Sequence, residues 1–303
     1  MRGCSEHPST SPMTISGSGG RTGSTTSTGI WGADRMPSGI RAGLDTAWIQ
    51  RGEGVREALM LHCGLASGRA FLPLMAELSD GLSMTAFDFP GHGRSGPWDG
   101  SGDYIRRASE VAESFCEGPR DVIGHSMGGV TALTLMTRRP DLIRSAVLVE
   151  PVFFAAARGT EAHRQHEVKD AVFREALHAG DPMRAAQVFT TIWGGGRPWE
   201  MVPDEQRQTM ADQMPLIAAT EPALVNDSND LLGAGRLEAI SAPVLLVRGG
   251  QANPVIGAIF DRLAARLPQA QVTVIEGAGH MLPMTHRAQL ATKIREFLGT
   301  GGG

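Results

Sequence analysis

Apolar positions along this chain follow two alternating rhythms. Short, nearly unbroken apolar runs are separated by longer stretches in which apolar residues return every three or four positions. The first rhythm predicts strands buried on both faces of a parallel sheet, and the second predicts helices packed by one face. The predicted strands cover residues 58–61, 84–87, 121–124, 145–149, 244–247 and 272–275, and most are closed by a histidine or a carboxylate: His62, Asp88, His125, Glu150 and Glu276. Two shorter strands precede them, one around Ile40 and one at 46–49, parted by the turn residues 42–45. Helical spacing places Phe71, Leu74, Met75 and Leu78 on one face and recurs over 104–117, 130–137, 256–267 and Arg287–Leu298.

Between residues 152 and 236 the alternation stops and only helical runs remain, broken by Gly180-Asp181-Pro182 and by the stretch from Trp193 to Pro198. A helical insertion of that length between two strands is most simply a cap over one end of the sheet. The expected class is therefore α/β, a mostly parallel sheet flanked by helices, with a helical cap after the sixth strand. Residues 37–151 and 237–298 form the core in this reading and 152–236 the cap. The leader 1–36, rich in Ser, Thr and Gly, holds too little apolar surface to offset its ordering entropy and is expected to be disordered, with Met36 a candidate natural start. The glycine-rich tail 299–303 is expected to be flexible.

Composition narrows the partners. With 41% hydrophobic and 20% charged residues in 303, the chain can bury a large core, and its net charge of -4 without a dense Lys/Arg cluster argues against nucleic acid or an anionic membrane. Small molecules remain. Three widely spaced cysteines, Cys4, Cys63 and Cys116, form no metal or redox motif, and no run approaches the length of a membrane span. A cytoplasmic protein without metal or cofactor is expected.

The chemistry concentrates in Gly124-His125-Ser126-Met127-Gly128, where a predicted strand runs directly into a predicted helix. A serine at such a turn sits on strained backbone, its neighbours two residues away must be small, and the first N–H groups of the helix point at whatever the serine attacks. Gly91-x-Gly93-x-x-Gly96 matches the spacing of a dinucleotide fingerprint. Pro90 precedes it and Pro97-Trp98-Asp99-Gly100 follows where a helix should open, so the context fails.

Taken in order, His62-Cys63-Gly64, then Asp88 through Ser95, then Gly124 through Gly129, then Gly277-Ala278-Gly279-His280 resemble the α/β-hydrolase fold superfamily over residues 39–298. The resemblance implies a serine hydrolase, carboxylesterase-like, with Ser126 as nucleophile and His280 as its base. It implies an oxyanion hole made by the N–H of Met127 and that of Gly64, with Leu65 as the alternative if the loop is shifted. Cys63 reads as a small buried residue. His286 is a nearby competitor for His280, and His92 shapes its own loop.

The acid is where this chain departs from the pattern. The turn after the seventh strand reads Gly250-Gln251-Ala252-Asn253-Pro254, with neutral Asn253 where most relatives carry Asp. Some relatives instead place the acid at the end of the strand before the cap, which is Glu150 here. The competing reading has Glu150 merely closing a turn before Pro151. Asp227 and Asp230 are weaker candidates. His163 and His166 could pair on a helix face, as metal ligands or as a solvated face. Phe153, Phe154, Phe189, Ile192, Trp193, Trp199, Met210 and Met214 either line an apolar pocket or form the cap's own core. Hydrolysis of small to medium carboxylic esters through an acyl-enzyme is expected. Carbon–carbon hydrolysis or lactone opening on the same scaffold, and a non-catalytic ligand-binding protein, are the alternatives; a haloalkane dehalogenase would need Asp in place of Ser126.

Overall fold

A computed structural model describes residues 36–300 of the chain, so the readings of the leader and of residues 301–303 lie outside it, Met36 excepted. Eight strands form one sheet: β1 (Ser38–Arg41), β2 (Leu44–Arg51), β3 (Arg56–Leu61), β4 (Leu82–Phe87), β5 (Arg120–His125), β6 (Ile143–Val149), β7 (Val244–Gly249) and β8 (Ala270–Ile275). Their order is β1-β2-β4-β3-β5-β6-β7-β8. β1 and β2 pair antiparallel, as do β2 and β4, and every pair from β4 onward is parallel. The unbroken apolar runs become the central strands, and Ala58 through Leu61 are wholly buried.

Helices cover both faces. Tyr104–Glu113, Met127–Arg138 and Pro254–Arg266 pack on one side through Tyr104, Val130, Leu133, Ile259 and Phe260. Leu72–Leu78 and Arg287–Leu298 pack on the other through Leu74, Met75, Leu290 and Ile294. The helix predicted over 104–117 stops at Glu113, because Gly118-Pro119 lies just ahead and the chain turns through Phe115 and Cys116. Between β6 and β7 an inserted helical region is present, led by Glu161–His178 and Pro182–Trp193, although residues 225–243 run as turns with neither helix nor strand. A short helix, Leu282–Thr285, was not expected from the spacing.

The strand order sets the location of the site. From β3 the chain steps outward to β4, then crosses back to β5 on the opposite side of β3. The loops leaving β3 and β5 therefore diverge, opening a crevice at the carboxyl ends of those strands, the place where open α/β sheets bind ligands.

Candidate active site

Ser126 follows the last residue of β5 and caps the helix Met127–Arg138 with φ 57° and ψ -117°. Its backbone N–H donates to Val149 O at 2.9 Å, tying the turn to β6. The tightness of the turn explains its glycines. A Cβ on Gly124 would lie 2.5 Å from Gly128 O, and one on Gly128 only 2.1 Å from Leu61 O. Three non-glycine residues hold positive φ at the carboxyl ends of adjacent strands, Leu65 (60°) beyond β3, Ser126 beyond β5 and Glu150 (45°) beyond β6. Strain gathered in this way marks a region where the surrounding structure dictates backbone shape.

The structure brings three of the sequence-predicted residues together. His280, on the loop after β8, lies with Nε2 3.0 Å from Ser126 Oγ and Nδ1 2.7 Å from Glu150 Oε2. Glu150 is fully buried, and its second oxygen, Oε1, accepts from the Gly249 N–H at 2.7 Å. Both carboxylate oxygens are thus engaged from one side by β7 and from the other by the imidazole. With Nδ1–H donating to Glu150, Nε2 carries the free lone pair toward Ser126, the tautomer a general base requires.

Asn253 does different work: its Oδ1 accepts from the Val255 N–H at 3.2 Å and caps the helix Pro254–Arg266. Asp227 and Asp230 hold turns, the first accepting from the Leu231 and Leu232 N–H groups at 2.8 and 2.9 Å. His286 turns its Nδ1 to Thr285 Oγ1 at 2.9 Å.

Gly64 lines both cavities that open from Ser126, and Met127 is the first residue of its helix, where N–H groups have no intrahelical acceptor. His62 stiffens the Gly64 loop. Its Nδ1–H donates to Cys63 O at 2.7 Å while Nε2 accepts from the Phe89 N–H at 2.9 Å, and burial pulls its pKa down to about 4. Burial also pushes the Cys63 thiol up to about 12, which leaves no thiolate near neutral pH. The Asp88–Ser95 loop folds on its own carboxylate: Asp88 accepts from the Gly68 and Arg94 N–H groups at 2.7 and 2.8 Å. A Cβ on Gly93 would meet Asp88 Oδ2 at 2.1 Å, so the glycine spacing there serves this internal packing.

One contributor was missed by sequence reasoning. His125, the variable position inside the serine turn, donates Nε2–H to His280 O at 2.9 Å and lies 5.1 Å from its ring, centroid to centroid. Burial lowers its pKa to about 3, so it acts as a neutral tether for the His280 loop. A polar residue ending an otherwise buried strand was the available signal. His166, read as a metal ligand or a solvated position, is instead buried, stacked on Phe154 at 4.4 Å and edge-on to Trp193 at 5.7 Å. Among the described residues, no group of three or more His, Cys, Asp or Glu side chains is placed to hold a metal ion.

The large apolar residues of the inserted region serve two ends, and Trp193 serves both, lining the cavities and packing in the core. Phe154, Phe189, Trp193 and Met210 line the cavities beside Ser126, whereas Phe153 and Met214 are buried in packing clusters and Trp199 packs in the cap under Arg207.

Residues 58–293 match the profile of the alpha/beta hydrolase family. The chain belongs to this family. Lipase LipV of Mycobacterium tuberculosis is 28% identical over 255 residues, covering 81% of this chain and 94% of that protein. A pimeloyl-[acyl-carrier protein] methyl ester esterase of Neisseria meningitidis serogroup B is 28% identical over 257 residues, 82% of this chain and 95% of that one. Among solved structures, a thermophilic esterase from Thermogutta terrifontis superposes with a TM-score of 0.65 at 23% identity, over 87% of this chain and 97% of that chain. These relatives are esterases and a lipase, and the chain is a hydrolase of the same fold. No helix among the described residues is long and apolar enough to cross a membrane.

Proposed function

We propose that this hydrolase cleaves carboxylic esters through an acyl-enzyme on Ser126, with His280 as base and then acid, Glu150 as the orienting carboxylate, and the N–H groups of Gly64 and Met127 as the oxyanion hole. The observation that carries this reading is the unbroken relay from Ser126 Oγ through the His280 ring to Glu150, at 3.0 and 2.7 Å.

Each step follows from those contacts. His280 Nε2 takes the Ser126 proton as Oγ attacks the carbonyl carbon, and Glu150 offsets the imidazolium charge that forms. The carbonyl oxygen becomes an oxyanion facing backbone donors that need no reorganisation. As the tetrahedral intermediate collapses, Nε2–H gives its proton to the departing alkoxide, releasing alcohol and leaving the acyl group on Oγ. A water molecule then gives its proton to His280 and attacks the acyl carbon, and the acid leaves as Oγ recovers its proton. The sum is ester plus water to acid plus alcohol. Neutral Asn253 keeps a non-catalytic ligand-binding protein among the alternatives, and the hydrogen bond between His280 and Glu150 supports the catalytic reading over it.

Turnover of p-nitrophenyl acyl esters by the parent chain and its loss in Ser126→Ala test the proposal. Lactones and vinylogous diketones assayed alongside separate ester hydrolysis from ring opening and carbon–carbon cleavage. Undiminished ester turnover in Ser126→Ala would overturn the assignment.

A further inference from the structure

Two cavities meet at Ser126, and the position of His280 distinguishes them. The leaving oxygen must receive its proton from His280 Nε2, so the leaving group departs on the side of the imidazole and the acyl chain extends on the other. One cavity, of about 250 Å³, is lined by His280 and holds three methionines, Met210, Met281 and Met284. The other, smaller at about 80 Å³, lacks His280 and is lined by Met127, Val152, Phe154, Phe173 and Leu224. Trp193 and Phe189 stand in the wall shared by the two, and Trp193 packs against the His280 ring at 4.8 Å.

The walls differ in stiffness. In the cavity without His280 the aromatic rings brace one another: Phe154 against His166 at 4.4 Å and Trp193 at 5.9 Å, and Phe173 against Phe189 at 5.9 Å. A side chain with two torsions, held by stacked neighbours, leaves a pocket of fixed shape. The same lining includes a paired charge, Arg174 to Asp170 at 2.5 Å, so an apolar chain long enough to reach that pair would desolvate it at a cost. The methionine cavity is the opposite case. Unbranched thioethers with three torsions repack around different shapes, and the half-buried Met210, Met281 and Met284 face exposed Gly194 and Arg197.

Resting on the ester-hydrolysis reading, we infer that the aromatic cavity is the acyl site and the methionine cavity the leaving-group site. The enzyme is therefore selective for the acyl chain and permissive for the alcohol, and its substrates are esters of a medium-length apolar acid with alcohols of varied size. Val225 in the first cavity and Met284 in the second are specificity-determining positions.

Two series of kcat/KM values test this: acyl length varied on a constant p-nitrophenol, and alcohol size varied on one constant acid. In the parent the acyl series has a sharp optimum, falling about tenfold or more per added methylene beyond it, whereas the alcohol series stays within about tenfold. Val225→Trp moves the acyl optimum to shorter chains and leaves the alcohol series unchanged in shape. Met284→Trp penalises large alcohols alone. Both residues are half-buried, and if either Trp variant does not fold, Val225→Ala and Met284→Ala must produce the opposite shifts in the same series. Interchanged effects, both variants moving one series, or an alcohol series steeper than the acyl one would overturn the assignment. Those outcomes are read on a parent that turns over p-nitrophenyl esters and loses that turnover in Ser126→Ala, whereas the ester reading fails if the parent turns over no ester or if Ser126→Ala keeps the activity, so the two failures are separable.

Discussion

Replacing Glu150 by Gln removes one charge and keeps the shape, and the surrounding hydrogen bonds dictate the outcome. In the parent, one carboxylate oxygen accepts from Gly249 N–H and the other from His280 Nδ1–H, both at 2.7 Å. A glutamine has one oxygen and one NH2. If its oxygen faces Gly249, its NH2 faces Nδ1, which must then be unprotonated. The imidazole proton moves to Nε2, and His280 can no longer accept a proton from Ser126. If instead the oxygen faces His280, two donors confront each other at Gly249 in a fully buried site, a cost of about 1–3 kcal/mol. The first arrangement removes the base, and the second keeps the tautomer but carries the clash at Gly249 and leaves the imidazolium without a compensating charge. The same carboxylate-to-amide change in a serine-protease triad lowers kcat about 10⁴-fold, equivalent to about 5.5 kcal/mol of barrier. Glu150→Gln is accordingly expected to lose about three to four orders of magnitude in kcat on a p-nitrophenyl ester, with KM little changed. Thermal melting run beside the assay identifies any loss due to unfolding. A folded variant with kcat/KM within about tenfold of the parent would refute the reasoning.

Other expectations follow from the same contacts. Gly128→Ala forces a Cβ to within 2.1 Å of Leu61 O, so it should lower Tm by an amount matching about 1–3 kcal/mol of overpacking and reduce kcat/KM by moving the Met127 N–H; an unchanged melting curve contradicts this. Asn253→Asp keeps a helix-capping oxygen and should leave kcat/KM within about twofold, whereas a large gain would indicate that the acid at that turn had been missing. Stability should fall on acidification. Burial pulls His62 and His166 down to about 4 and His92 and His125 down to about 3, against an ordinary 6.5 in the unfolded chain. Between 6.5 and about 4 the unfolded chain therefore binds more protons, and each histidine removes about 1.4 kcal/mol of stability per pH unit over that window. Urea titrations from neutral to acid pH measure the slope, His166→Phe should reduce it by about one proton, and a flat profile contradicts the assignment.

Much of the fold was legible because burial on both faces leaves a direct trace in sequence. Residues 58–61 and 244–247 could be read as central strands from their apolar runs, and Gly124 with Gly128 from the crowding at the serine turn. The source of the acid could not be read in that way. Whether Glu150 or position 253 faces His280 depends on β6 and β7 lying side by side, with Gly249 N–H fixing the carboxylate across 99 positions of sequence. His125 was hidden for a related reason: its partner is a backbone carbonyl 155 residues away, which leaves no mark on residue type. His166 sits on a helix whose neighbours are mostly polar, and only the folded packing of Phe154 and Trp193 reveals it as buried. Large apolar residues that line a cavity and those that only pack a cluster have the same appearance in sequence, since both need only apolar surface.

The central claim is that Ser126 carries the acyl group during turnover. Rapid mixing with a p-nitrophenyl ester, acid quench and intact-mass measurement should show one acyl adduct per chain, mapped by peptide analysis to the segment containing Ser126 and accumulating with a burst of p-nitrophenol. An adduct mapped to Cys63 or elsewhere, or ester turnover with no covalent adduct at any time after mixing, would contradict it.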